Sequence, residues 1–301
     1  MTLTLALTGA TGFVGQTVLD HVLASGHRIR AIARRSQSVR DGVEWIEGDL
    51  ANPDALRRLC NGANAVLHIA GAVNVPTRDA FAAANIVGTQ SIVDAATETG
   101  VSRFVHVSSL AAREPGLSNY GWSKAGAEDV VRASSLDWTI VRPPGIYGPR
   151  DHDVLEMFRM AKRGVVLLPP RGRGSWIHAD DLARLLVTLA SGGASHAILE
   201  PDDGTPVTHD QMAQAIAQAL GRTGVKTLHA PRPLLDFAAR ADRLVRGDKA
   251  KLTPDRASYM AHPDWTSNPA LRPDPSLWQP QITAADGLAA TAQWYRANGW
   301  L

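Results

Sequence analysis

Cysteine is almost absent from this 301-residue chain, in which Cys60 stands alone. A single cysteine excludes an intrachain disulfide, and no group of cysteines and histidines has the spacing of a metal site. Long hydrophobic runs are missing too: no stretch approaches the roughly 18 apolar residues of a membrane span, and no basic segment precedes the short apolar run at the N-terminus. We therefore expect a cytoplasmic protein without a membrane span, a secretion signal or a metal.

An excess of charge of one sign is also missing. The chain has 31 basic and 29 acidic residues, a formal net charge of +2, and neither sign gathers into a long block. This balance argues against nucleic acid as the main partner, whereas a sequence pI of about 8.9 suits an anionic cofactor. With 45% hydrophobic residues, the chain can bury a sizeable core.

The first half of the chain alternates short apolar runs with helical patterns. Strands are predicted at residues 3–7, 28–33, 43–47, 65–69, 104–107 and 138–141. Such alternation indicates right-handed crossovers and an α/β fold, with a doubly wound parallel sheet of the Rossmann type covered on both faces.

The second half of the chain loses this rhythm. Glycine and proline cluster at residues 142–149 and 168–174, and a Pro-rich stretch covers 263–280. Helices are predicted at 182–190, at 209–220 behind Thr208 as N-cap, and at 284–298. We expect a Rossmann domain of residues 1–150 with 176–200, and a smaller substrate-binding lobe of residues 151–175 with 201–301.

A glycine-rich segment, residues 8–15, lies directly behind the first predicted strand. Gly9 allows a tight turn, Gly12 lets a pyrophosphate approach, and Gly15 lets the following helix pack closely. The N-terminus of that helix supplies N–H donors and a positive dipole. The segment predicts a dinucleotide-binding turn, whose cofactor-binding residues are Gly9, Thr11, Gly12, Phe13, Val14 and Gly15.

The end of the second predicted strand bears on which dinucleotide is bound. NAD-selective sites usually place an acidic residue there to accept hydrogen bonds from the ribose hydroxyls. This chain has Arg34 and Arg35 instead, and guanidinium groups can pair with a ribose phosphate. The sequence therefore favours NADP over NAD, with two solvated arginines as the alternative reading.

Tyr120 and Lys124 are four residues apart in a segment that can be helical, so their side chains would share one face. A neighbouring ammonium stabilises a phenolate and lowers the phenol pKa from about 10 toward working pH. Tyrosine then becomes a usable acid or base for a carbonyl or an alcohol. A pair of surface residues on a helix is the alternative reading.

The strand predicted at 104–107 delivers two hydroxyls, Ser108 and Ser109, at its C-terminal end, where ligands bind in open α/β sheets. A serine there can hydrogen-bond the substrate oxygen that the tyrosine contacts, although serines also cap helices and turns. His106 lies inside the strand, and we expect a core histidine with its hydrogen bonds satisfied rather than a catalytic base.

Taken together, these residues resemble the extended short-chain dehydrogenase/reductases, also described as the epimerase/dehydratase superfamily. The ordered motifs besides the glycines are Gly48-Asp49-Leu50, His68-Ile69-Ala70-Gly71, Asn85-Ile86-Val87-Gly88-Thr89, Ser108-Ser109, Tyr120 with Lys124, residues 142–149 and Trp176-Ile177-His178-Ala179-Asp180-Asp181. They span nearly the whole chain, and their order is hard to attribute to chance.

The resemblance implies roles for individual residues. Asp49 and Leu50 would flank the adenine, Ala70 and Gly71 would lie along the cofactor, and Asn85 would lie beneath the nicotinamide side. Ser109, Tyr120 and Lys124 would form the catalytic triad, with Ser108 and Pro143 among the cofactor contacts. His178 and Asp180 would have structural roles, Asp180 capping a helix that begins near Leu182.

The substrate is less clearly indicated. An asparagine that helps hold the sugar diphosphate in related epimerases is replaced by Gly145. The segment at 142–151 looks more like hydroxysteroid and sterol dehydrogenases, and Arg34 more like dihydroflavonol reductases. In the C-terminal half, aromatic residues could line an apolar pocket, namely Trp176, Phe237, Tyr259, Trp265 and Trp278. A phosphorylated substrate is a further alternative, because it could bind Arg150, Arg171 and Arg173.

We therefore expect an NADP-preferring oxidoreductase that interconverts a secondary alcohol and a carbonyl on a bulky, rather apolar small molecule. A nucleotide-sugar epimerase or dehydratase with retained NAD is the second hypothesis. A non-catalytic NADP-sensing or assembly protein on the same fold is the third, and the intact Ser109, Tyr120 and Lys124 argue against it. A homo-oligomer is compatible with the sequence.

Overall fold

The computed structural model describes residues 2–247, 250 and 252–301. The chain divides into two compact units. The first comprises residues 1–142, 182–200 and 273–279, and the second comprises residues 143–181, 201–272 and 280–301.

The first unit is built on a parallel sheet that has seven strands among the described residues. The strands are β1 (Thr4–Thr8), β2 (Arg28–Ala33), β3 (Val43–Glu47), β4 (Ala65–His68), β5 (Arg103–Val107), β6 (Asp137–Val141) and β11 (Ala197–Leu199). Their spatial order is β11-β6-β5-β4-β1-β2-β3, so the strand order reverses between β1 and β4. Ligands of open α/β sheets bind at such a reversal, beyond the carboxyl ends of the strands.

Helices connect these strands. They are α1 (Phe13–Ala24), α2 (Pro53–Cys60), α3 (Arg78–Phe81), α4 (Gly88–Glu98) and α5 (Asn119–Ala133), and a π-helix (Ala82–Val87) joins α3 to α4. A 3₁₀-helix (Leu110–Arg113) follows β5, and α7 (Ala179–Ala190) begins in the second unit and continues into the first. The six strands predicted from sequence are all present, with ends shifted by at most one residue.

The seventh strand, β11, was not predicted. It is only three residues long and pairs with β6. The buried guanidinium of Arg103, on β5, helps to hold this edge by donating to the carbonyls of Leu189 and Gly193 and to the hydroxyl of Thr139. Three residues are too few to show a strand pattern, so only these tertiary contacts define the element.

The second unit contains small sheets instead of one large one. Its strands are β7 (Gly145–Tyr147), β8 (Val165–Leu168), β9 (Arg173–Gly174), β10 (Trp176–His178), β12 (Val207–Thr208), β13 (Lys226–His229) and β14 (Asp264–Trp265). Its other helices are α6 (Asp153–Lys162), α8 (His209–Ala219), α9 (Arg232–Arg246), α10 (Pro254–Met260) and α11 (Ala284–Ala297), with a 3₁₀-helix (Pro269–Leu271). Thr208 caps α8 in a capping box with Gln211, as its position predicted.

Aromatic rings fill the core of the second unit. Tyr147, Phe158 and Tyr295 are fully buried, and the rings of Phe158 and Tyr295 meet edge to face with centroids 5.2 Å apart. The Tyr295 hydroxyl donates to the Asp151 carbonyl at 2.6 Å. The core thus joins α6 to α11, which are far apart in sequence.

The division of the chain differs from the predicted domain boundaries. Residues 143–150 and 176–181 belong to the second unit and residues 273–279 to the first. The reason is that β7 and β10 pair with each other and do not join the seven-stranded sheet. Within the described part of the chain, we find no helix long and apolar enough to cross a membrane. The same residues hold no group of three potential metal-binding side chains.

Candidate active site

The glycine-rich turn has the close contacts that its sequence predicts. Gly9 has φ of +77°, and a Cβ there would lie 2.7 Å from the backbone nitrogen of Ala70. A Cβ on Gly15 would lie 1.9 Å from the Gly9 carbonyl oxygen, so α1 packs directly on the turn. Gly12 is the N-cap of α1 and has no capping side chain, which leaves first-turn N–H groups for an anion.

A buried chain of hydrogen bonds fixes the loop after β4. The His68 imidazole lies between the hydroxyls of Thr8, at 2.7 Å, and Thr89, at 3.0 Å. Thr89 donates onward to the Asn85 carbonyl, and Thr8 accepts from the Ala70 N–H. Burial lowers the pKa of His68 to about 3, so the ring is neutral. This arrangement holds Ala70 at the reversal of strand order.

Asn85 is a buried residue of the π-helix that links three segments. Its side chain accepts from the Ala72 N–H, and it donates to the Ala72 carbonyl and to the Ser123 hydroxyl. A Cβ on Gly71 would lie 3.0 Å from the Asn85 Oδ1 and 3.7 Å from the Lys124 Nζ. Asn85 therefore positions the loop of Ala70 and Gly71 against α5. A direct contact with cofactor stays a prediction.

Helix α5 carries Tyr120 and Lys124 one turn apart, as predicted. The Ser118 side chain caps the helix by accepting from the Gly121 N–H. A Cβ on Gly121 would lie 2.6 Å from the Ala111 carbonyl, so the start of α5 lies directly against the 3₁₀-helix that Ser109 caps. The Tyr120 ring is half-buried and packs against Phe81, with centroids 6.2 Å apart.

Lys124 lies fully inside the protein. Its Nζ donates to the Val107 carbonyl at 2.8 Å, at the carboxyl end of β5. Burial lowers the pKa of Lys124 to about 8, and the charge of Glu128 opposes that shift. A buried ammonium with one protein hydrogen bond has N–H donors left for a ribose hydroxyl or a phenolate.

The two serines after β5 have different surroundings. Ser109 is half-buried and caps the 3₁₀-helix, because its Oγ accepts from the Ala111 N–H at 3.2 Å. Its hydroxyl hydrogen is still able to donate to a substrate oxygen. Ser108 is buried, and its hydroxyl donates to Glu128 at 2.5 Å. Ser108 is thus bonded to Glu128 in the interior while Ser109 is partly exposed, and the predicted contact of each with a ligand stays a prediction.

Sequence reasoning missed the role of Glu128. This buried carboxylate accepts from Ser108 and forms a two-bond ion pair with Arg142, at 2.8 and 2.6 Å. Arg142 and Arg113 also pair with the buried Glu200 at the end of β11. Residue spacing could have indicated this role. Glu128 lies four residues after Lys124, and Lys124 lies four residues after Tyr120, so all three share one face of the helix.

His106 is a core residue, as expected, but its hydrogen bonds are not satisfied. Neither ring nitrogen has a partner among the described residues, and the ring stacks on His68 with centroids 5.2 Å apart. Burial and the charge of Lys124 lower the pKa of His106 well below its ordinary value. The ring is therefore neutral and is packed as an aromatic group in the core, where it is fully buried.

Four residues predicted to contact the adenosine end follow β2 and β3. Arg34 and Arg35 are exposed just after β2, and neither forms an ion pair within the described residues. Asp49 accepts from the Ala51 N–H, and Leu50 packs beside Gly88. The nearest carboxylate in register is Glu47, on β3, which pairs with Ala33 of β2. The end of β2 itself carries no acid.

In the second unit, the Trp176 indole lies against Gly145, the residue that replaces the asparagine of related epimerases. A Cβ on Gly145 would lie 2.6 Å from the Trp176 indole, which runs alongside it because β7 pairs with β10. An asparagine cannot replace Gly145 unless Trp176 moves. Pro143 is buried two residues after β6, and its contact with the cofactor stays a prediction.

The second unit also corrects several expectations. Phe237 is 69% exposed on α9, and Trp278 belongs to the first unit, where it packs near Arg184. Arg173 is paired with Asp264 at 2.7 Å, which reduces its value as a diphosphate ligand. Asp180 does not cap α7, because the helix begins one residue earlier, at Ala179.

The geometry of the first unit fits a nicotinamide dinucleotide. The close turn of Gly9 and Gly15 leaves an anion site at α1, the Ala70–Gly71 loop is fixed at the strand reversal, and Lys124 is buried at the end of β5. These features define an NAD(P)-binding Rossmann fold with a tyrosine and a lysine at one helix start.

Comparison with known proteins agrees with this description. Residues 9–192 match the NAD(P)H-binding family. The chain is 36% identical to ceramide reductase of Caulobacter vibrioides over 98% of this chain and 95% of that protein. It is 24% identical to dTDP-glucose 4,6-dehydratase of an Actinoplanes species, over 97% of each. The structure of Bordetella bronchiseptica WbmH with NAD⁺ superposes with a TM-score of 0.78 at 18% identity, covering 99% and 100% of the two chains.

The chain belongs to the extended short-chain dehydrogenase/reductase superfamily, whose members are also described as NAD-dependent epimerases and dehydratases. It is an NAD(P)-dependent oxidoreductase of that type. The resemblance to WbmH concerns the fold alone, because the identity is low.

Proposed function

We propose that this enzyme uses NADPH to reduce a ketone on a long-chain, largely apolar molecule such as a keto-ceramide, which gives the corresponding secondary alcohol. The proposed substrate class rests on the packing of Trp176 against Gly145. This packing leaves no room at residue 145 for an asparagine amide that could bind a sugar diphosphate. The 36% identity to ceramide reductase over 98% of the chain supports the same class. An apolar chain gains roughly 25 cal/mol for each Å² of surface that it buries.

In the proposed mechanism, the Tyr120 hydroxyl donates its proton to the carbonyl oxygen of the substrate. The Ser109 hydroxyl donates a hydrogen bond to the same oxygen and positions it. Lys124 holds a positive charge near the tyrosine and stabilises the phenolate that remains, and its Nζ would also bind the nicotinamide ribose. The reduced nicotinamide supplies the hydride.

Glu128 and Asn85 would act one step away from the reacting atoms. Glu128 holds Ser108 and balances the charge of Lys124, and Asn85 holds the loop of Gly71. Glu128 would be a positioning residue, because it links Ser108 to Arg142. Asn85 links Ala72 to Ser123, and its contact with the cofactor stays a prediction.

The preference for NADPH would come from Arg34, assisted by Arg35. Both follow β2, whose end has no acid to read the ribose hydroxyls. Arg34→Ala should weaken NADPH binding by about 1.5 to 3 kcal/mol and leave NADH nearly unchanged. Glu47→Gln is the matched control and should leave the ratio of the two affinities unchanged. Titration of wild type and variants with both cofactors measures the two affinities. Equal losses of affinity for NADPH and NADH in Arg34→Ala would show that Arg34 does not set the preference.

Thermal-shift screening with saturating NADP⁺ tests the substrate class. A ceramide with a short acyl chain should stabilise the protein more than UDP- or dTDP-sugars at equal concentration. If the nucleotide sugars gave the dominant shift, the epimerase or dehydratase hypothesis would replace this one. Arg171 and Arg150 would then be the first candidates for the diphosphate.

A further inference from the structure

We infer that Arg113 is a positioning residue for Ser109 and acts through its ion pair with Glu200. This role rests on the proposed function, in which the Ser109 hydroxyl donates to the substrate oxygen. The 3₁₀-helix (Leu110–Arg113) begins directly after Ser109, its N-cap, and ends at Arg113. The Arg113 guanidinium lies 3.2 Å from the carboxylate of Glu200, whose side chain is fully buried. One end of this short segment thus carries the proposed substrate contact, and the other end carries the ion pair.

The hydrogen bonds of the 3₁₀-helix do not by themselves fix where the Ser109 hydroxyl lies. The Ala112 N–H donates to the Ser109 carbonyl at 3.0 Å. The Glu114 N–H donates to the Ala111 carbonyl at 3.2 Å. Hydrogen bonds of this type have poorer geometry than those of an α-helix, and such helices are accordingly short. Contacts with other elements must therefore hold the segment in one position.

Two parts of the first unit contact the segment. Helix α5 approaches so closely that a Cβ on Gly121 would lie 2.6 Å from the Ala111 carbonyl oxygen. The sheet contacts the segment at the carboxyl end of β11, where Glu200 directly follows Leu199. That end is itself fixed, because the Leu199 carbonyl accepts from the N–H that follows β6 at 2.8 Å. The ion pair of Arg113 therefore ties the end of the segment to a rigid part of the sheet.

The ion pair is part of a larger set of charges, called the ion-pair network below, that also includes α5. Glu200 lies 3.2 Å from Arg113 and 3.5 Å from Arg142. Arg142 in turn donates two hydrogen bonds to the buried Glu128 of α5, at 2.8 and 2.6 Å. The charges alternate in sign along the network, so each buried carboxylate faces a guanidinium group. The network thus connects the helix of the proposed proton donor to the segment of the proposed substrate contact.

Removal of the Arg113 guanidinium takes a partner from a fully buried carboxylate. That loss is unfavourable, so the carboxylate and the segment are expected to move. A hydrogen bond from the Ser109 Oγ to the substrate oxygen requires a distance of about 2.6 to 3.2 Å. A displacement of about 1 Å can lower the rate by a factor of about 100. Loss of Arg113 should therefore affect turnover through Ser109, beyond any effect on the stability of the fold.

A double-mutant cycle on a short-acyl keto-ceramide tests the positioning role. Arg113→Met keeps the apolar stem of the side chain and should lower kcat about tenfold, with KM changed less than about twofold. The double variant Ser109→Ala/Arg113→Met should be no slower than Ser109→Ala, because Arg113 acts through Ser109. Glu200→Gln keeps the shape of the side chain without its charge and should have the same effect as Arg113→Met. Arg113→Lys keeps the charge and should recover part of kcat.

Asp137→Asn is the matched control. It removes an ion pair of the first unit with the same distance, 3.2 Å between Arg103 and Asp137, and with one buried partner. Asp137 begins β6, at the end of the strand away from the ion-pair network. The variant should leave kcat unchanged. Circular dichroism and Tm of each variant measure the fold and its stability.

Amide hydrogen exchange separates the positioning role from the proposed function, because it needs no substrate. The amides of residues 110–114 should exchange about tenfold faster in Arg113→Met than in wild type, while those of α1 stay unchanged. Unchanged exchange in the segment, or kcat losses that multiply in the double variant, would overturn the positioning role. So would an equal loss of kcat in Asp137→Asn at an equal loss of Tm. If wild type reduced no ketone but Arg113→Met still loosened the segment, the proposed function would fail while Arg113 would still hold the segment.

Discussion

The two units of this protein place their polar and apolar residues in opposite ways. In the first unit, buried polar side chains gather at the carboxyl ends of β1, β4 and β5, where Thr8, His68 and Lys124 are held by hydrogen bonds. In the second unit, aromatic rings fill the core, while large apolar side chains of α9 are exposed. The comparison teaches that the groups suited to the proposed chemistry gather in the first unit, whereas the feature on which the proposed substrate class rests, Trp176 against Gly145, is in the second.

The largest expected effect comes from removing the proton donor in the first unit. Tyr120→Phe keeps the ring against Phe81 and should lower kcat by a factor of about 100 or more, with cofactor affinity little changed. Tyr147→Phe is the control in the second unit, because the Tyr147 hydroxyl has no hydrogen-bond partner among the described residues. Near-normal turnover of Tyr120→Phe would mean that Tyr120 of the first unit is not the proton donor.

A second substitution tests packing in the second unit. Gly145→Asn forces a side chain against the Trp176 indole and should lower the free energy of unfolding by about 1 to 3 kcal/mol. Gly116→Asn is the control, since open space surrounds a Cβ at that position. Thermal denaturation measures both variants. An unchanged Tm for Gly145→Asn would mean that Trp176 moves easily and that its packing does not exclude an asparagine.

A smaller effect is expected from pH. The pKa of Lys124 is lowered to about 8, so the ammonium that supports Tyr120 is lost as pH rises through that value, and kcat/KM should fall there. The same shift has the opposite sign for folding: between pH 8 and about 10.5 the unfolded chain binds more protons at this residue, so its contribution to stability rises with pH. The loss of activity is thus distinguishable from unfolding.

Glu128→Gln sharpens the pH experiment. The Glu128 charge raises the pKa of Lys124, so its removal should move the alkaline limb of kcat/KM to lower pH. Asp129→Asn is the control, one residue further along α5 and exposed. An unmoved limb in Glu128→Gln, with kcat reduced, would make Glu128 a structural residue only.

The sequence predicts the first unit much better than the second, for physical reasons. Strands β2 (Arg28–Ala33) and β3 (Val43–Glu47) alternate apolar and polar residues, a pattern that is typical of partly buried strands, and both were predicted with their observed ends. The close contacts of Gly9 and Gly15 follow from a motif of adjacent residues. The ion pair of Glu128 with Arg142 joins residues on different elements, and only the fold brings them together.

In the second unit, two- and three-residue strands such as β9 and β10 carry too little pattern to recognise. Aromatic composition also gave no indication of which rings are buried: Tyr147 is in the core, whereas Phe237 is on the surface. Side-chain burial there depends on long-range packing that residue type alone does not encode.

The stoichiometry of NADPH oxidation tests the central claim most directly. Wild-type protein, a short-acyl keto-ceramide and limiting NADPH should give one molecule of alcohol for each molecule of NADPH oxidised, and Tyr120→Phe should abolish most of both signals. No oxidation of NADPH with the ketone, together with conversion of a dTDP- or UDP-sugar without net cofactor consumption, would contradict the account and assign the site to an epimerase or dehydratase.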